Sequence, residues 1–182
     1  MPRIKGGSMN GTGLEGEDKV LSVLASALRI EEFGIEFYRR FSECAREENG
    51  AALLRGLARD EVQHKEHIEK EMRRIAPDAD LEKVRPSESL LGIVPEKAFP
   101  FPPDRCMTME DEIKALEMGI KVEIGSVEMY RNAAIQVTEP STHDLLEKLT
   151  HVEEGHRKLL EDNLYLLQNE GAWYGYSPIL EG

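Results

Sequence analysis

Six side chains of the kinds that hold divalent metal ions recur at one fixed spacing. Glu31 and Glu123, Glu61 and Glu153, and His64 and His156 are each separated by 92 positions. In each copy a leading Glu is followed thirty residues later by a Glu-x-x-His motif. Carboxylate oxygens and imidazole nitrogens suit iron or manganese, and the absence of thiolate from the set argues against structural zinc or an iron–sulfur cluster. Four glutamates carry a charge of about −4 and two divalent ions about +4, so a pair of ions held by these residues would be neutral with both imidazoles uncharged. One Glu-x-x-His in a Glu-rich helical chain is ordinarily a solvated i, i+3 pair. Two of them, locked to one offset together with their leading glutamates, point instead to a dinuclear metal centre.

The same offset relates much more than the six donors. EEFGIEFY at 31–38 answers EIGSVEMY at 123–130, and LARDEVQH at 57–64 answers LTHVEEGH at 149–156. Tyr38 thereby matches Tyr130, and Leu53, Leu54 and Leu57 match Leu145, Leu146 and Leu149. The chain is a duplicated unit. Packed about a pseudo-twofold axis, two such units bring their matched positions together at the centre. On a helix Glu61 and His64 share a face, as do Glu153 and His156. The apolar neighbours on those stripes, Leu57 with Ile68 and Leu149 with Leu160, place both pairs inside.

Helices must therefore position the donors. Residues 17–46 carry no Pro, and Leu24, Leu28, Ile35, Tyr38 and Phe41 recur near helical period. Asn49 and Gly50 mark a short turn, after which Leu53, Leu54, Leu57, Ile68 and Met72 continue a helical stripe until Pro77. A Pro-rich stretch follows, with Pro86, Pro95, Pro100, Pro102 and Pro103 around one apolar island at 90–94. Thr108 with Asp111 forms a capping box that opens a third helix, running to about Val137. Pro140 and Ser141, with Asp144, open the fourth, which Gly171 ends. The expected fold class is all-α: a four-helix bundle of two hairpins, 17–76 and 108–171, joined by a long crossover at 77–107. Residues 1–16 read as a leader outside the fold, and 172–182 as an aromatic tail that covers a bundle end or a neighbouring subunit.

Composition narrows the classes. The 182 residues fit one domain, 32% of them charged and only 6% aromatic, with a net charge of −12. That charge repels phosphate backbones and anionic lipid, so no nucleic acid and no membrane is expected as a partner. No run approaches a membrane span. Two scattered cysteines, Cys44 and Cys106, fit a reducing cytoplasm, and a disulfide between them is disfavoured. Glu36 and Glu128 also repeat, but lie off the donor face with Arg39 and Arg131 as ion-pair partners. His67, His143 and His151 lack counterparts and read as surface or capping residues.

The two Glu-x-x-His motifs with their leading glutamates resemble the ferritin-like superfamily, and within it the rubrerythrin-type di-iron proteins that lack a rubredoxin domain. The resemblance spans about 17–170. It implies a ferritin-like bundle with Glu31 and Glu123 as terminal ligands, Glu61 and Glu153 as bridging ligands, and His64 and His156 as imidazole donors. Tyr38 and Tyr130 would donate hydrogen bonds to ligand carboxylates, though core packing explains them equally. Two iron ions are the implied cofactor, with manganese, a mixed pair, or zinc as an in vitro substitute. The chain departs from rubrerythrin proper in having no CxxC pair. Ser126 also stands where rubrerythrin proper has a further Glu three residues after the first, and Gly34 is its counterpart. The first departure implies that the electron-transfer domain of rubrerythrin proper is missing, and the second argues against redox-linked ligand exchange and efficient peroxidase turnover.

Three functions follow as expectations. One is an oxidoreductase reacting with O2 or H2O2, with electrons from a separate donor protein. Another is iron handling by ferroxidase, storage or delivery. A third is a helical interaction module whose dimetal site is structural. A homodimer or larger homo-oligomer is the expected assembly.

Overall fold

In the computed structural model, which describes residues 13–87, 93–94 and 107–175, four helices form two antiparallel hairpins. Helix α1 covers Gly13–Cys44, α2 Glu48–Ile75, α3 Met109–Gln136 and α4 Pro140–Glu170. Helices α1 and α2 pack along their lengths, as do α3 and α4, and the hairpins meet where α2 borders α4 and α1 borders α3. A long loop joins α2 to α3, and among its described residues Leu81–Lys83 form a short 3-10 turn. The all-α bundle of two hairpins is thus observed. The first helix starts four residues earlier than periodicity alone indicates, because Gly16 does not interrupt it. Residues 1–12, Cys106, Tyr176 and most of the crossover lie outside the described residues, and with them any pairing of Cys106.

The core follows the apolar stripes, with one adjustment on α1. Leu24, Tyr38 and Phe41 are buried as expected, but Leu28 and Ile35 are only half-buried, while Phe33 and Phe37 face inward. Phe37 stacks edge-on with Tyr38 at 5.2 Å. Helix α1 touches both α2 and α3, so its buried face is wider than a single stripe. From the crossover, Ile93 and Val94 pack against the core.

Polar side chains fasten the two ends. At the start of α3 the Thr108 hydroxyl accepts from Asp111 N at 3.2 Å and Asp111 Oδ2 accepts from Thr108 N at 2.9 Å, closing the expected capping box. The start of α4 differs: Glu139, not Ser141, is the cap, accepting from Thr142 N at 2.7 Å, with Pro140 in the first turn. Ser141 and Thr142 instead donate to Glu71 on α2, at 3.1 and 2.5 Å. Gly171 closes α4 in the left-handed conformation at φ 72°. Beyond it Trp173 turns back onto the bundle end, 5.9 Å from Phe41, with its Nε1 donating to buried Glu112 at 3.3 Å. A Cβ on Gly50 would lie 2.6 Å from the indole ring, so only glycine fits beneath it. Of the two roles open to the tail, Trp173 takes the first and covers its own bundle end. On the surface Arg39 pairs with Glu36 at 3.2 Å, as expected, whereas Arg131 pairs with Glu154 on α4 instead of Glu128.

Glu71 gives this end a pH dependence. The Arg74 guanidinium, which donates to both carboxylate oxygens at 2.9 Å, outweighs burial and, with the Thr142 and Ser141 hydroxyls, holds its pKa down at about 2. A depressed folded-state pKa stabilises the fold above the ordinary carboxyl value of 4.5, and that contribution is lost as pH falls toward about 2. Glu71→Gln is expected to cost roughly 2 kcal/mol at pH 7 and almost nothing near pH 2, which thermal unfolding across that range measures.

Candidate metal centre

The donors come from all four helices at mid-length. Helix α1 supplies Glu31, α2 supplies Glu61 and His64, α3 supplies Glu123, and α4 supplies Glu153 and His156. None of the six is more than 3% exposed. Their ligand atoms form two groups in which every atom lies within 4.8 Å of the others: Glu31, Glu61, His64 and Glu153, and Glu61, Glu123, Glu153 and His156. Glu61 and Glu153 belong to both groups. All six residues expected from the sequence are therefore brought together, in two sets of four that share two carboxylates.

Both imidazoles turn Nδ1 inward. His64 Nδ1 lies 3.3, 3.2 and 3.1 Å from oxygens of Glu31, Glu61 and Glu153, and His156 Nδ1 lies 3.3 and 2.9 Å from Glu61 and Glu153. The rings stack with centroids 5.5 Å apart. One N–H cannot serve three carboxylates, and Oε2 of Glu31 and Oε1 of Glu153 remain buried without a hydrogen bond. Among the described residues, Glu31, Glu61 and Glu153 form their ion pairs with these two histidines alone. Buried, unsatisfied oxygens converging with inward imidazole nitrogens are the donor set that a pair of cations completes.

The tyrosines cross between the hairpins. Tyr38 on α1 donates to Oε1 of Glu123 on α3, and Tyr130 on α3 donates to Oε1 of Glu31 on α1. Each fully buried phenol thus holds one oxygen of a leading glutamate. In Glu31 the other oxygen, Oε2, is the one left free to face the centre. Burial, reinforced by Glu123 beside Tyr38 and Glu31 beside Tyr130, raises both phenols well above their ordinary value, so they stay protonated as donors.

Without cations the carboxyls divide into two kinds. Burial pushes Glu31 and Glu123 well up, helped by the charges of Glu61 and Glu153. Glu61 and Glu153 are held down: burial opposes this, but hydrogen bonding from Glu31 and the charge of His156 outweigh it for Glu61, and the charges of His156 and His64 do so for Glu153. Burial alone would lower both imidazoles, yet the surrounding carboxylates, Glu153 foremost, raise them.

Two neighbours of the centre carry no donor motif. Gly34, one turn after Glu31, faces Glu61, where a Cβ would lie 3.0 Å from Cγ and 3.2 Å from Cδ. It therefore leaves the Glu61 carboxylate its space. Ser126, its counterpart, is buried with its hydroxyl returned to Val122 O at 3.0 Å. Asp60 places Oδ2 3.5 Å from His156 Nε2. Sequence reading passed over Asp60, although the contrast of DEVQH with VEEGH was visible in the aligned copies. His67 and His151 lie exposed on α2 and α4, and His143 is partly exposed beside Asp144, all outside both donor groups.

The fold and site together define a ferritin-like four-helix bundle with buried Glu/His clusters suited to a dimetal site. Similar folds occur in a hypothetical protein from Pyrococcus furiosus, at 21% identity and TM-score 0.65 over 83% of this chain and 91% of that one. Another is a two-domain protein from Anabaena variabilis containing DJ-1/ThiJ/PfpI-like and ferritin-like domains, at 14% identity and TM-score 0.64. That match covers 91% of this chain but 44% of the other. No curated protein matches the sequence. The rubrerythrin family model matches residues 22–164, and the chain belongs to the rubrerythrin family. No helix among the described residues is long and apolar enough to cross a membrane.

Proposed function

We propose that this chain is a di-iron oxidoreductase that reacts with O2 or H2O2 and is re-reduced by a separate donor protein. The observation that carries the reading is the pair of buried four-residue groups sharing Glu61 and Glu153. In this reading Glu61 and Glu153, common to both groups, would be shared by the two ions, Glu31 and Glu123 would each serve one, and His64 and His156 would complete the two halves. A bound iron pair supplies two electrons for reduction of dioxygen or peroxide. The protein's own part is positional. Tyr38 and Tyr130 fix the terminal carboxylates by one oxygen each, and the two Glu-x-x-His spacings aim carboxylate and imidazole from one helix face at the same point. The surrounding core keeps bulk water out, so the carboxylates are available to cations.

The test is anaerobic loading with Fe(II) followed by rapid mixing with O2 or with H2O2. Oxidation of the bound pair alone, with ferric absorption that an added reductant repeatedly bleaches, is the expected result. Oxidation of many irons per chain would indicate storage instead, and no ferric absorption with either oxidant would leave a structural dimetal site.

A further inference from the structure

The duplication matches the two halves of the centre residue by residue, and this makes their differences informative. The position immediately before the shared glutamate is Asp60 in one copy and Val152 in the other. Asp60 sits on α2 with a side chain 21% exposed, while Val152 on α4 is buried. His156 is wholly buried and presents its two nitrogens to different surroundings. Nδ1 faces Glu61 and Glu153, and Nε2 points away from the centre toward Oδ2 of Asp60 at 3.5 Å. At that separation the two form an ion pair and not a hydrogen bond: buried Nε2 has no hydrogen-bond partner, and Oδ2 of Asp60 is the acceptor set beside it.

We infer that Asp60 is a positioning residue which makes the two metal positions unequal, so that the one bearing His156 takes its divalent ion first. The inference rests on the dimetal reading given above. An imidazole that binds a cation through Nδ1 carries its proton on Nε2 and needs an acceptor there. A carboxylate in that place fixes the tautomer, holds the ring plane and increases the donor strength of Nδ1. The offset that supplies every other partner in duplicate supplies His64 with valine, which accepts nothing. Loss of such an outer acid typically lowers metal affinity by about 10- to 100-fold. The centre therefore fills in order, passing through a state with one ion beside His156.

Titration of the metal-free protein with Co(II) under nitrogen, read by visible absorption and calorimetry, tests this. Two ions are expected to bind in separate steps, the first at least about 10-fold tighter. Asp60→Asn, which keeps the shape of a partly exposed side chain, is expected to weaken the first step by about 10- to 100-fold and leave the second nearly unchanged. A purely structural role would not move the exchangeable imidazole N–H signals of the Co(II)-loaded protein. The substitution is expected to shift one of them, and hasten its exchange, while leaving the other in place. Two equal steps in the native protein, or an Asp60→Asn variant whose steps and N–H signals match the native ones, would overturn the inference while the dimetal reading stands. Failure of the native protein to bind a second Co(II) would overturn both.

Discussion

Glu61→Ala and Glu153→Ala are each expected to abolish binding of a metal pair while leaving the helices in place. Both residues belong to both donor groups, so either substitution reduces two four-residue sets to three at once. Glu31→Ala or Glu123→Ala removes a donor from one set only, and is expected to spare one ion. The helices survive because α2 is held by Leu53, Leu54, Leu57, Ile68 and Met72, and α4 by Leu146, Leu149, Leu160 and Leu167, all fully or nearly fully buried. Circular dichroism should therefore match the native chain, while metal analysis after loading and desalting shows the pair gone. Full occupancy in either variant would rule out their shared role.

Metal uptake is also expected to expel several protons per pair of ions and to weaken in acid. Burial and like charges push Glu31 and Glu123 toward the protonated form in the metal-free centre, and the carboxylates around them push His64 and His156 the same way. Glu61 and Glu153 are shifted the opposite way, toward the ionised form, by the charge of the histidines. With two divalent ions the neutral arrangement is four carboxylates and two neutral imidazoles. The raised groups must lose their protons to bind metal, so the sign is fixed: falling pH opposes loading. Each proton released lowers the overall association constant for the pair by about tenfold per pH unit. Calorimetry in buffers of different ionisation enthalpy counts the protons. Release of one or none would mean that the metal-free centre already exists as four open carboxylates.

The duplication explains why so much of the centre could be read from sequence. Donors repeated at one offset on helical stripes have few ways to pack other than facing one another, and Glu31, Glu61, His64 and their partners do so. The Tyr38 and Tyr130 contacts were legible in kind, since their matched positions allow the hydroxyls to cross between hairpins. What escaped the sequence lies where the two copies differ or where three elements meet. Glu71 looks like a surface acid in α2, and only the docking of α4 gives it Ser141 and Thr142 as partners. The Glu139 cap was hidden because a long side chain reached Thr142 N, a role more often filled by Ser, Thr, Asp or Asn. Trp173 gave no periodic signal. Its place depends on a glycine at 50 and a buried acid at 112, which come from different hairpins.

In the dimetal reading one chain holds two ions at the points where the donor groups meet. Metal analysis of the protein purified from cells grown in iron-replete medium, with anomalous diffraction to place the ions, tests it most directly. Two metal sites per chain are expected, one among Glu31, Glu61, His64 and Glu153 and one among Glu61, Glu123, Glu153 and His156. A single ion, or a pair bound elsewhere with these six side chains left as metal-free acids and bases, would contradict it.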